Sequence, residues 1–335
     1  MRLDQANRSF LALVTVALLF GAAVLCGVVG GVLVPMSLAR ISQGGLLGLW
    51  DDRASLLAPL TLLVLIAVGA GLGGRAMLRQ AVASRGLSHR LRALASTVPD
   101  ALAQTARQTG LAGRVVLIDA ADSFSFVYGM VTPRVAVSRG LLEHATGDEL
   151  RAVLEHEHYH VRNIDPLKAA LVKVLSEALF FLPALDSLRA RYVAGRELAA
   201  DRRAVALCGS RPLAGALFKV VRGPVWSERA GAAAIASPDS LDVRLRQLET
   251  GSEPKLDVLD AKSVILSLGG IACLAALFLV SVACLGGAAA VYRATGTGLM
   301  SATWLDTLTC TAPFAGAGLM MYSLVAWRAS RPLPL

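Results

Sequence analysis

The chain has 335 residues, enough for two ordinary domains, yet 55% of them are hydrophobic and the mean hydropathy is +0.59, which excludes an average soluble protein. The net charge is +9, but only 5% of the residues are aromatic and no basic helix is interleaved with aromatics, so direct nucleic-acid binding is not expected. Arginines beside apolar stretches account for the charge, since they set topology and attract anionic lipid headgroups of a bilayer.

Four uncharged stretches, 9–39, 54–74, 263–292 and 307–327, each reach the roughly 20 residues that span a hydrocarbon core. They predict four transmembrane helices, at about 10–34, 55–74, 264–291 and 307–327. The first follows Arg2 and Arg8 like a signal peptide, but it is about twice the length of such a peptide's apolar core, so a retained anchor is expected. Arg2, Arg8, Arg75, Arg79, Arg85, Arg90, Arg92, Lys255, Lys262, Arg328 and Arg331 flank the spans on one side, against Arg40, Arg53 and Arg293 on the other. The richer side is cytoplasmic by the positive-inside rule. The expected organisation is therefore a helix pair in 1–74, a cytoplasmic domain in 75–262 and a second pair in 263–335, with both termini cytoplasmic. Cys26, Cys273, Cys284 and Cys310 fall in predicted spans and Cys208 stands alone, which is neither a disulfide framework nor a zinc-finger spacing.

Within the middle segment, "RVVLID" (114–119), "SFSFVYG" (123–129) and "RVAVS" (134–138) are short, β-branched or aromatic, and bounded by turn residues. They read as strands of a small sheet, and the alternation in "SFSFVYG" predicts a half-exposed edge strand. Thr146 and Glu149 form a capping box, so a helix begins there. The next apolar stretch, 167–185, carries Lys168, Lys173 and Glu177 and is cut by Pro183. It cannot cross the bilayer without separating the residues before and after it, and it is expected to lie on the membrane surface or roof the site. A further helix, from about residue 187, ends at Gly209, a residue suited to terminating helices.

The capped helix carries "HEHYH", His156 to His160. Residues four apart lie on one helical face, so His156 and His160 present their imidazoles together, while His158 points away. The pattern H-E-x-x-H suits zinc, with two histidines as ligands and Glu157 beside them to work on a water. A random chain of this length shows it about one time in a hundred, so a second motif is needed. "RELAAD" supplies it: Glu197 is the candidate third ligand, and Asp201, four residues on, is placed to receive the outer N–H of a ligand histidine. Glu155, His158, His144 and His89 read as surface residues.

At these residues the chain resembles the gluzincin metallopeptidases. "SRGLL", "DELRAVLEHEHYHVRNIDPL" and "RELAADRRA" within a four-helix membrane frame resemble the M56 family typified by BlaR1, with the membrane-bound M48 peptidases of the HtpX type as near neighbours. The resemblance implies an α-helical membrane protein with a cytoplasmic α+β zinc-peptidase domain, Zn2+ on His156, His160 and Glu197, Glu157 as general base, and a protein or peptide substrate such as a transcriptional repressor. It does not extend to BlaR1's extracellular penicillin-binding sensor, so β-lactam sensing is not implied. "SEPK" (252–255) fits S-x-x-K, but it lacks the companion motifs and is read as coincidence. M48 enzymes also use a His-Pro segment ending in arginine, whereas "ASPDSLDVRL" has no histidine, so any oxyanion donor is another residue, such as Tyr192 or Arg244. That gap motivates an alternative, a catalytically silent membrane scaffold with a structural zinc, beside the quality-control protease that the HtpX likeness implies.

Overall fold

The structure, a computed structural model, describes residues 5–28, 53–221, 238–252, 254, 256, 260–276 and 279. The chain is mostly helical with one small sheet. Among the described residues no helix is long and apolar enough to cross a membrane. Helix α1 (Gln5–Val28) carries the first predicted span up to residue 28, with the rest of that span outside the described residues; the second falls in α2 (Arg53–Ala93), the described part of the third is helical over 261–276, and the fourth lies outside the described residues.

Helix α2 runs unbroken for 41 residues, about 60 Å at 1.5 Å per residue. It carries the chain from the second predicted span onto the sheet. Strands β1 (Ala95–Ser96), β2 (Val115–Ile118), β3 (Ser125–Tyr128) and β4 (Arg134–Ser138) form that sheet in the order β1-β2-β4-β3. The β2–β4 pair is parallel and the other two are antiparallel. Strand β3 is an edge, as its sequence predicts, but all four of its residues are buried rather than half of them. Both faces are covered. Val127 joins Leu102 of α3 (Asp100–Gln108) and Leu150, Val153 and Leu154 of α5 (Gly147–Asn163) in the main core. On the opposite face Phe126 and Tyr128 pack with Leu87 and Leu91 from the end of α2. Alternation reports two faces, and only the long α2 shows that the second is also dry.

After β4, the Ser138 hydroxyl caps the short helix α4 (Arg139–His144). The capping box of α5 is formed as predicted: the Thr146 hydroxyl accepts from the Glu149 N–H, and the Glu149 carboxylate accepts from the Thr146 N–H. Helix α5 ends at Ile164, which takes a left-handed conformation (φ 53°, ψ 43°), a cost of about 1–2 kcal/mol for a side chain with a Cβ. That kink launches α6 (Asp165–Ala178) with Pro166 in its first turn. Helix α6 stops at Ala178, a turn through Pro183 follows, and α7 (Ala184–Cys208) runs on to Gly209 (φ 87°). The apolar stretch 167–185 is thus a helix and a turn. Its helix lies against α2, where a Cβ at Gly69 or Gly73 would collide with Ala178.

Helix α1 packs on α7 and α6 through Phe10, Leu13, Val172, Leu185 and Tyr192. Helices α8 (Ser210–Val221) and α9 (Pro238–Thr250) pack on α5 and α7. Leu102, Leu141 and Leu154 are fully buried, and truncating any one to alanine costs about 2–5 kcal/mol.

Candidate metal centre

Helices α5 and α7 pack side by side and bring His156, His160 and Glu197 together, all three buried, with one ligand atom of each within 4.8 Å of the others. The His156 and His160 Nε2 atoms are 3.2 Å apart. Glu197 Oε2 lies 3.5 Å from the first and Oε1 lies 3.8 Å from the second. A tetrahedral zinc with bonds of about 2.0–2.1 Å separates its ligand atoms by about 3.4 Å, so this donor set fits that ion.

Both histidines turn Nε2 inward and hold Nδ1 against a carboxylate. His156 Nδ1 is 2.8 Å from Asp201 Oδ1, and His160 Nδ1 is 2.6 Å from Asp165 Oδ2. This arrangement sets the ring orientation of metal-binding histidines. Asp201 stands where its spacing placed it. Asp165 was not singled out in the sequence, because its approach to His160 depends on the left-handed turn at Ile164; the acid five residues after the second histidine was the available signal. The Tyr192 hydroxyl donates to Asp165 Oδ1 at 3.4 Å, and Arg244 donates through Nε and another guanidinium nitrogen to Asp201 at 2.6 and 2.7 Å.

Glu157 is fully buried, and neither carboxylate oxygen has a hydrogen-bond partner among the described residues. Two orphaned acceptors in a dry site are costly unless a ligand or water meets them. Burial pushes the Glu157 pKa up, while His156, His160 and the Ser125 hydroxyl on β3 oppose the rise. For Glu197, burial also pushes upward, but His160, His156, Arg196 and Arg244 outweigh it and hold the carboxyl below its ordinary range. Burial lowers His156, yet Asp201 and Glu197 prevail and raise it to about 9. The protein by itself therefore draws positive charge to this point. Four buried carboxylates, Glu157, Asp165, Glu197 and Asp201, lie in this region with two guanidiniums, Arg196 and Arg244, a donor surplus that suits a cation.

Arg196, also not singled out, is 5% exposed and lines a small open cleft with Val127, His160, Asp165, Pro166 and Glu197. Glu155 and His158 stay out of the cluster, but neither is a plain surface residue. Glu155 is buried against Arg203, and the half-buried His158 ring sits over Gly110 and 3.4 Å from Arg203. The tight packing of α5 against α7 and the chain after α3 removes them from water. His144 and His89 are exposed, as expected.

A buried His–His–Glu cluster on paired helices, with an unpaired glutamate beside it, is the site architecture of metal-dependent hydrolases. The profile of the family described as BlaR1 peptidase M56 matches residues 51–248, and the chain belongs to that family. It is also similar to Protease HtpX of Erwinia tasmaniensis, at 29% identity over 178 residues, which cover 47% of this chain and 59% of that protein. Protease HtpX of Acinetobacter baumannii is 46% identical over 65 residues, 19% of this chain and 22% of that one. The chain thus spans well under two thirds of these curated relatives. No solved structure is significantly similar to it.

Proposed function

We propose that the chain is a membrane-embedded zinc endopeptidase that hydrolyses peptide bonds of a cytoplasmic or juxtamembrane protein. The observation that carries this reading is the meeting of His156, His160 and Glu197 at metal-ligand distances with the unpaired Glu157 carboxylate next to them. His156, His160 and Glu197 hold the ion. When bound, zinc polarises the scissile carbonyl and acidifies the attacking water. Glu157 takes the proton of that water and passes it to the leaving amine. Asp201 and Asp165 hold the imidazoles in the tautomer and orientation that ligation needs, and Arg244 holds Asp201. Strand β3 lies against the helix of Glu157 and, among the described residues, pairs with β4 alone, an edge that suits capture of an extended substrate by strand addition.

The predicted frame of four spans, with the catalytic domain and both termini cytoplasmic, belongs to this proposal. Helix α1 packing on α7, and Gly69 and Gly73 of α2 packing on α6, support a domain built directly on the first two predicted spans. The family profile covers more of the chain than the HtpX similarity does, and on that ground we favour regulatory cleavage of one protein, such as a transcriptional repressor, over general quality control.

The test uses full-length protein purified without chelators. It should contain about one zinc per chain, cleave casein or a membrane-proximal reporter, and lose that activity to a chelator with recovery on zinc addition. Glu157→Gln should keep its zinc and lose about 10²–10⁴-fold in rate. Zinc-loaded protein that cleaves nothing would leave the scaffold reading in possession, and wild-type rates in Glu157→Gln would remove Glu157 from the mechanism.

A further inference from the structure

Charge that develops on the scissile carbonyl oxygen needs a hydrogen-bond donor as well as a cation. Neither candidate suggested by sequence lines the cleft beside the cluster. Arg244 is fully buried with two donors committed to Asp201, and Tyr192 is fully buried with its hydroxyl on Asp165. Arg196 does line it. Its Nε is buried without a hydrogen-bond acceptor, and among the described residues its ion-pair partner is Glu197 Oε1 at 3.2 Å, the oxygen that faces His160. We infer that Arg196 is the catalytic donor that binds the carbonyl oxygen of the peptide in the transition state.

Strand β3 supports the placement. Ser125 and Val127 share one face of the strand, Ser125 beside Glu157 and Val127 in the cleft with Arg196. Two residues of strand measure about 6.8 Å, so a peptide bond lying between them has the general base on one side and the guanidinium on the other. In the step itself, the water oxygen bonds to the carbonyl carbon while the C=O pair moves onto oxygen. Glu157 takes the water proton and delivers it to the amide nitrogen as the C–N bond breaks. Arg196 donates N–H hydrogen bonds to that oxygen, and none of its own bonds is made or broken. The guanidinium adds positive charge where negative charge appears.

This inference rests on the peptidase reading, and the experiment separates the two. Zinc-loaded full-length Arg196→Gln and Arg196→Lys, in detergent micelles, are compared with wild type on a fluorogenic peptide. Zinc content should be unchanged, kcat should fall about 10²–10³-fold in Arg196→Gln with KM nearly constant, and Arg196→Lys should recover part of the loss. Affinity for a phosphonamidate peptide, which mimics the tetrahedral state, should fall in parallel with kcat/KM, while affinity for acetohydroxamate, which needs only the metal, should not. A kcat within about three-fold of wild type with zinc retained overturns the assignment. Loss of zinc from Arg196→Gln overturns it too, since the guanidinium then serves Glu197. Wild-type protein that holds zinc but neither cleaves peptides nor binds the phosphonamidate refutes the peptidase reading itself, whatever Arg196 does.

Discussion

The two proposed ligand histidines look alike in sequence and are held differently in the fold. His156 sits on the deep side, backed by Asp201, whose charge is met by the doubly bonded Arg244 reaching in from α9. His160 sits at the mouth, backed by Asp165, whose second oxygen meets the Tyr192 hydroxyl at 3.4 Å among the described residues. Tyr192 in turn packs against Phe10 of α1, the first predicted span, with ring centroids 5.6 Å apart and the rings tilted by 44°. The deep half is an ion-pair network closed by tertiary structure, and the outer half is a lighter hydrogen-bonded relay that touches helix α1. Removing a partner from a buried ion pair leaves a stranded charge, whereas removing a neutral donor does not.

That asymmetry orders the expected effects. Arg244→Met should be the most damaging change, destabilising the folded protein by about 3–5 kcal/mol because Asp201 is left buried and unpaired; thermal unfolding of the purified protein reads this, and an unchanged midpoint would erase the distinction between the halves. Asp201→Asn should follow. It should lower zinc affinity by about 10–100-fold, measured by competition with a chelator, and it should also lower the unfolding midpoint, since Arg244 loses its counter-charge. Asp165→Asn should weaken zinc toward the lower end of the same roughly 10–100-fold range, with a smaller change in the midpoint, because among the described residues its direct partners are His160 and the neutral Tyr192 hydroxyl. Equal stability losses from the two aspartate changes would show that the halves are equivalent. Tyr192→Phe should be the mildest, at most about 0.5–1 kcal/mol for one long hydrogen bond, detectable in the same unfolding experiment.

Much of the centre is written in helical periodicity. His156, Glu157 and His160 lie within five residues, and Glu197 and Asp201 are again four apart, so each pair could be placed on one face without knowing where either helix goes. The capping box at Thr146 and Glu149 and the stop at Gly209 were legible for the same reason, since both are set by neighbours in the chain. Asp165, Arg196 and Glu155 were not. Asp165 depends on a left-handed isoleucine, a conformation whose cost is met only by surrounding packing. A buried Arg196 beside Glu197 reads in sequence as an ordinary surface pair, and Glu155 looks solvent-facing until Arg203 covers it.

The sequence by itself determined the ligand types, their spacing and the edge position of strand β3, because these follow from the 3.6-residue and two-residue repeats of helix and strand. Tertiary structure decided which carboxylate backs which histidine, that Arg244 closes the network from α9, that α2 continues past the predicted span to cover the second face of the sheet, and that Arg196 turns toward the cleft. Apart from the five-residue step from His160 to Asp165, which the left-handed Ile164 makes, these join elements far apart in the chain. No local repeat encodes such a contact, and it exists only because packing α5, α7 and α9 together removes their charges from water and leaves them one another as partners.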